Sequence, residues 1–316
     1  MLIMSQFPFR ADQKLTEVLK RQKFTLSAEV IPPRNGSEQT KVLDQIKTLI
    51  SAGAQFLAVT KGAGGSLRGG SLPIAQSIKE QFGVPCIAHF TCRDLTAHDV
   101  ENQLIDHHYF GIRNILALRG DPPDGQKDWK AREGGHSFAY QLIEQIKNLN
   151  SGRFLPRPGG PASDGSESTD FCIGAAAYPE HPNEEERLRF FKLKVDAGAE
   201  YGITDMCFDP EAYARFMDLC AKSGIAIPVL PATRLLKTRG QADRMSAKFR
   251  VSVPPDVLAA LPPDGDPDAV ERGVELFMKL VERMRSLGAP GIHVYVISDT
   301  GGAAAALKRL STEART

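Results

Sequence analysis

The 316-residue sequence contains no apolar run near the length that crosses a bilayer. Met1 to Met4 is too short for a signal-peptide core and runs directly into polar Ser5, Gln6 and Arg10. A soluble, cytoplasmic chain is therefore expected. There is no charge excess, with 39 Lys and Arg against 38 Asp and Glu. No global field would attract nucleic acid or an acidic membrane surface, and neither is expected as a partner. Cysteines are scarce: Cys86, Cys92, Cys172, Cys207 and Cys220 are odd in number and include no C-x-x-C pair, which fits reduced thiols rather than a disulfide framework. Neither H-E-x-x-H nor a Cys/His metal spacing occurs, and the adjacent His107 and His108 point to different sides of any helix, so no metal is expected. The loop G-A-G-G-S after Thr60 lacks the third glycine of G-x-G-x-x-G, and no acidic residue ends the following strand. A Rossmann dinucleotide site is thereby disfavoured.

What is present is an alternation of apolar strands and amphipathic helices, and 42% apolar residues supply a core. The stretch Gly111 to Pro123 shows the pattern most clearly. Ile115 to Leu118 reads as a strand covered on both faces, and it stops at Arg119-Gly120-Asp121 before two prolines. The other strands are expected at Phe24 to Ile31, Phe56 to Thr60, Val84 to Phe90, Phe171 to Tyr178, Tyr201 to Phe208, Ile225 to Pro231 and Gly291 to Ser298. Between them fall helices capped at Ser37, at Thr96 with Asp99, and at Asp209-Pro210, a helix from Pro73, and one with Val270, Val274, Phe277, Val281 and Met284 on one face. Eight β/α units in this length predict a single (β/α)8 TIM barrel over residues 1–316. An extra N-terminal helix lies near Asp12 to Gln22, and a flexible, Gly/Pro/Ser-rich insertion at 150–168 precedes strand five.

In such barrels chemistry sits at the carboxyl ends of the strands. There the sequence places Glu29, Thr60, His89, Asp121, Tyr178 and Asp205, from six strands. Each alone has an ordinary reading: Asp121 can shape a turn before prolines, and a lone His or Thr in a core strand is usually structural. Converging on one mouth, the set suits a polar ring system approached by an acid.

Six segments together resemble the methylenetetrahydrofolate reductases: A-E-V-I-P-P-R (Ala28 to Arg34), V-T-K-G-A-G-G-S (Val59 to Ser66), A-H-F-T-C (Ala88 to Cys92), G-I-R-N-I-L-A-L-R-G-D, A-A-A-Y-P-E-H-P (Ala175 to Pro182) and K-V-D-A-G-A (Lys194 to Ala199). They occur in that family's order over about Leu26 to Asp209. The resemblance implies a barrel oxidoreductase that holds non-covalent FAD and interconverts 5,10-methylene- and 5-methyltetrahydrofolate. NAD(P)H and folate would use the same flavin face in turn, in one-carbon metabolism and methionine supply. By it Glu29 matches the general acid that protonates the folate N10, and Asp121 the carboxylate between flavin and pterin. Thr60, Ala63, His89, Arg119, Gly120, Asp121, Ala139, Tyr178, His181 and Lys194 fall where the family holds FAD. Folate is assigned to Glu29, Asp121 and Asp205, the last standing where the family usually has glutamine. Lys61 replaces an aromatic, and Arg187, Phe190 and Leu193 replace polar residues. Beyond Pro231 the likeness thins, and Asp299 stands in place of an Arg for the glutamate tail. A homo-oligomer is expected. The alternative reading is a folate-binding reductase subunit whose weakened FAD site needs a partner protein.

Overall fold

A computed structural model of the chain describes residues 8–33, 36–66, 69–123, 129–156, 167–249, 251–297 and 299–313. Met1 to Met4, Arg34, Ser298 and most of the expected insertion, 157–166, lie outside the described residues. Strands β1 (Thr25–Val30), β2 (Phe56–Val59), β3 (Cys86–Thr91), β4 (Asn114–Leu118), β5 (Cys172–Ala177), β6 (Tyr201–Met206), β7 (Val229–Thr233) and β8 (Gly291–Tyr295) pair in parallel in chain order. β8 closes on β1, opposing His293 to Ser27 and Tyr295 to Glu29. The result is the expected (β/α)8 barrel.

Each strand alternates between two cores. On β1 the apolar residues Leu26, Ala28 and Val30 belong to the cluster beneath the surrounding helices, which leaves Thr25, Ser27 and Glu29 on the barrel side. The outer ring consists of α2 (Gln39–Ser51), α3 (Ser71–Phe82), α4 (Ala97–Tyr109), α5 (Ala139–Asn150), α6 (Glu184–Ala197), α7 (Pro210–Lys222), α10 (Ala269–Ser286) and α11 (Thr300–Glu313). Two further helices, α8 (Arg239–Phe249) and α9 (Pro255–Ala260), make an excursion after β7.

The extra N-terminal helix, α1 (Leu15–Arg21), plugs the amino end of the barrel. Its i, i+3, i+4 residues Leu15, Val18 and Leu19 are buried against barrel-interior Phe56, Ile87, Leu116 and Tyr201. Asn114, at the start of β4, fixes the plug by accepting from the Leu15 N–H at 2.7 Å. The opposite, carboxyl end is left open for a site.

Local signals behave as their chemistry requires, with three corrections. Thr96 and Asp99 form a reciprocal capping box on α4, and the Asp209 side chain accepts from the Glu211 N–H at the start of α7. Ser37 does not cap α2; Glu38 is the N-cap, with φ 52° and no side-chain bond. The apolar run from Ile225 is not strand at its start, because the Ile225 N–H bonds back to Cys220 O and closes α7, so β7 begins at Val229. On α10, Val274, Phe277, Val281 and Met284 are buried, but Val270 at the first turn is 44% exposed.

Candidate functional site

The carboxyl mouth of the barrel holds a cavity of about 600 Å3, and all twelve residues singled out in the sequence line it: Glu29, Thr60, Ala63, His89, Arg119, Gly120, Asp121, Ala139, Tyr178, His181, Lys194 and Asp205. They arrive on different strands, loops and helices, so it is barrel closure that brings them together.

Glu29 is 7% exposed at the carboxyl end of β1. Burial alone pushes its carboxyl up to about 8. His89 Nε2 on β3 lies 3.4 Å from Glu29 Oε2, and burial pushes that imidazole down to about 4. Near neutral pH both groups are therefore uncharged. The contact is an acid beside a neutral ring, not an ion pair.

The rim after β4 is shaped by a glycine. Gly120 has φ 94°, and a Cβ there would lie 2.8 Å from Arg93 Cβ and 3.3 Å from Thr91 Cβ, so only glycine fits. The chain then turns to present Asp121, whose Oδ2 accepts from the Gly64 N–H at 2.9 Å. The Gly-rich loop after β2 carries Ala63 in a short 3-10 turn, with Gly62 and Gly64 in left-handed backbone. Thr60 is buried just before it, and its carbonyl accepts from the Ser71 hydroxyl at 2.7 Å.

The wall formed by β4, β5, α5 and α6 is cationic. Lys194 Nζ donates to Ala176 O at 2.8 Å and lies 5.1 Å from the centre of the Tyr178 ring. Burial first, and Arg119 second, push its ammonium down to about 8. Ala139 is the first residue of α5, so its free N–H end adds partial positive charge. His181 belongs to the loop after β5: its Nδ1 accepts from the Asn183 N–H at 3.2 Å. Arg187 Nη1 fixes the same loop through Pro179 O at 2.5 Å and His181 O at 3.2 Å.

Asp205 continues the inward alternation of Tyr201 and Ile203, and beside it the ladder of β6 with β7 shifts register between Ile203 and Met206. Consecutive Thr204 and Asp205 both line the cavity as a result. Burial, then Glu180, pushes the Asp205 carboxyl up to about 7. Its Oδ1 is buried without a hydrogen-bond partner.

Among the lining residues that escaped the sequence reading are His293 and Tyr295 on β8. The signal was the alternation in G-I-H-V-Y, which buries Ile292 and Val294 under the helices and turns the residues between them to the interior. Lys61, noted only as a replacement for an aromatic, also lines the cavity and sits 4.3 Å from the centre of the Phe90 ring.

The site's chemistry fits an extended, anionic cofactor such as FAD. Two neighbouring cations, one of them buried, beside a helix N-terminus suit a pyrophosphate. The partnerless Nε2 of His89 and Oδ1 of Asp205 offer polar atoms to heterocyclic rings.

Residues 14–311 match the family described as Methylenetetrahydrofolate reductase. The chain is 30% identical over 285 residues to "Methylenetetrahydrofolate reductase 1" of Schizosaccharomyces pombe, covering 88% of this chain and 44% of that one. It is 30% identical over 295 residues to the "5,10-methylenetetrahydrofolate reductase" of Escherichia coli, covering 91% of this chain and 90% of that one. The chain thus spans about half the length of the eukaryotic relatives it matches. Among solved structures, an uncharacterized Clostridium thermocellum protein described as binding two copies of 5-methyl-5,6,7,8-tetrahydrofolic acid aligns with TM-score 0.55 at 16% identity. That alignment covers 95% of this chain and 99% of that one and shows a shared fold. The chain belongs to the methylenetetrahydrofolate reductase family.

Proposed function

We propose that the protein is a flavin-dependent oxidoreductase that interconverts 5,10-methylenetetrahydrofolate and 5-methyltetrahydrofolate, with NAD(P)H as the other substrate. The observation that carries this reading is Glu29: an acid buried at the cavity, uncharged near neutral pH, and without a cationic partner. A carboxyl that keeps its proton at the pH of a cytoplasm can donate it to an amine nitrogen of a bound folate.

FAD would be held by Thr60, Ala63, His89, Arg119, Gly120, Ala139, Tyr178, His181 and Lys194, with Asp121 at its edge. When bound, FAD supplies the hydride exchange between nicotinamide and folate. The protein's own residues do the rest. Arg119 and Lys194 neutralise phosphate, and the tight Gly120 turn lets backbone approach a ring. Asp121, held by the Gly64 N–H, places a carboxylate where positive charge develops on the folate. Asp205 accepts from the amino and ring N–H groups that a pterin presents side by side. Glu29 holds the proton at its carboxyl until the amine nitrogen takes it, and regains one for the next cycle.

The second reading, a folate-binding subunit that needs a partner for its flavin, is favoured by one observation. In one part of the cavity wall Phe190 stacks on Phe138 with ring centres 5.7 Å apart, and both terminal nitrogens of Arg187 are engaged by Pro179, His181 and Glu184, so this part presents aromatic rings and engaged terminal nitrogens where a ribose would need donors. Reconstitution decides between them. Protein mixed with excess FAD and desalted should retain absorbance near 450 nm that bleaches with NAD(P)H and returns on adding methylenetetrahydrofolate. Absence of bound flavin would overturn the first reading in favour of the second.

A further inference from the structure

Between the pair Ile203 and Leu230 and the next pair, Met206 and Ala232, β6 carries two residues, Thr204 and Asp205, where β7 carries one, Pro231. β6 therefore bulges, and it does so opposite a proline, which has no N–H to give to the ladder. The backbone around Asp205 must find other partners.

It finds them in two hydroxyls. The Thr204 carbonyl, on the peptide that leads into Asp205, accepts from the Tyr295 hydroxyl of β8 at 2.8 Å. The Asp205 carbonyl, on the peptide that leaves it, accepts from the Thr204 hydroxyl at 2.6 Å. The Thr204 hydroxyl oxygen in turn accepts from the Ala232 N–H at 2.8 Å, which ties the bulge back to β7. One buried side chain thus holds both strands. Asp205 Oδ1, by contrast, is buried without a hydrogen-bond partner among the described residues. The aim of this carboxyl is therefore set by the backbone on either side of it.

We propose that Thr204 is a positioning residue for folate recognition: its hydroxyl, with that of Tyr295 behind it, clips the bulge of β6 so that the Asp205 carboxyl faces the pterin. This rests on the reading of Asp205 as the group that meets the pterin. Thr204→Val keeps the bulk of the side chain but leaves the Ala232 N–H and the Asp205 carbonyl without their partner, so the bulge is free to shift. Thr204→Ser keeps the hydroxyl.

The test is calorimetric binding of 5-methyltetrahydrofolate to the FAD-reconstituted, oxidised protein at pH 6 and pH 8. Burial, then Glu180, pushes the Asp205 carboxyl up to about 7, so the parent should bind more tightly at pH 8. The titratable groups that act on Asp205 or feel its charge are Glu180 and Tyr178 from the loop after β5, Tyr295 from β8 and Cys207 just beyond β6. Burial keeps the two phenols and the thiol neutral through this range. Loss of the pH difference in Asp205→Ala assigns it to Asp205 rather than to Glu180. Thr204→Val should bind roughly three- to tenfold more weakly at pH 8, the scale of one hydrogen bond, and lose most of the difference between the two pH values. Its FAD content after desalting should match the parent's, and Thr204→Ser should recover both affinity and pH dependence. Tyr295→Phe, which frees the Thr204 carbonyl, is the second variant should Thr204→Val not fold, with the same losses expected. A folded Thr204→Val protein that keeps the parent's pH difference, or a loss that Thr204→Ser does not recover, would overturn the inference alone. A parent protein as insensitive to pH as Asp205→Ala would instead overturn the reading of Asp205, and the inference with it.

Discussion

The Asp121 carboxylate and the Gly64 amide, 2.9 Å apart, join the loop after β4 to the loop after β2 across the top of the intervening β3. The bond sets the width of the cavity mouth on that side, and it depends on the turn at Gly120 immediately before Asp121.

Gly120→Ala tests that turn. Its left-handed φ of 94° and the 2.8 Å approach to Arg93 Cβ leave no room for a methyl group. The substitution should destabilise the fold by more than about 1 kcal/mol and weaken flavin retention, read by thermal unfolding and by absorbance after desalting. An unchanged melting temperature with full flavin content would show that the loop adapts freely.

A second prediction concerns Lys194. Its ammonium is pushed down to about 8, so the cation is present at pH 7 and lost as the pH rises through that value. FAD affinity should therefore fall between pH 7 and 9. In Lys194→Met it should be roughly tenfold or more weaker at pH 7, the worth of a hydrogen bond to a charged group, and flat with pH. A variant that binds FAD as the parent does, with the same pH dependence, would remove Lys194 from the cofactor's contacts.

Asp205 gives a dependence of opposite sign. Its carboxyl is pushed up to about 7, and a ligand that brings N–H donors prefers the ionised form. Binding of 5-methyltetrahydrofolate to the oxidised protein should tighten as the pH rises from 6 to 8. Asp205→Ala should lose roughly 1.5 to 3 kcal/mol at pH 8, the range for a hydrogen bond to a charged group. Calorimetric dissociation constants within about threefold of each other at pH 8 would mean that Asp205 does not touch the folate.

Much of the barrel and its mouth was legible in the sequence because two periodicities coincide there. Apolar runs such as Ile115 to Leu118 mark strands buried on both faces, and a polar residue that breaks such a run near its end, as Glu29 and His89 do, is legible as a side chain at the barrel mouth. Boundaries were less legible where competing bonds decide: Ile225 has strand composition, yet its N–H is taken by Cys220 O. His293 and Tyr295 were missed because their partners, Ser27 and Glu29, lie some 266 residues away in sequence, and only closure of β8 on β1 reveals the pair. Asp205 was legible because it continues the alternation of the inward-facing Tyr201 and Ile203, whereas its neighbour Thr204 reaches the cavity only where the β6–β7 register is irregular, which no local pattern announces.

The account's central claim is that Glu29 is the acid of the folate step and of no other. Reconstituted Glu29→Gln protein, followed by stopped-flow absorbance of the flavin, separates the two halves of the cycle. Reduction by NAD(P)H needs no proton from Glu29 and should stay within about tenfold of the parent rate, while reoxidation by methylenetetrahydrofolate should slow at least a hundredfold, the scale of general acid catalysis. Equal losses in both halves would contradict the claim and make Glu29 a structural residue of the barrel.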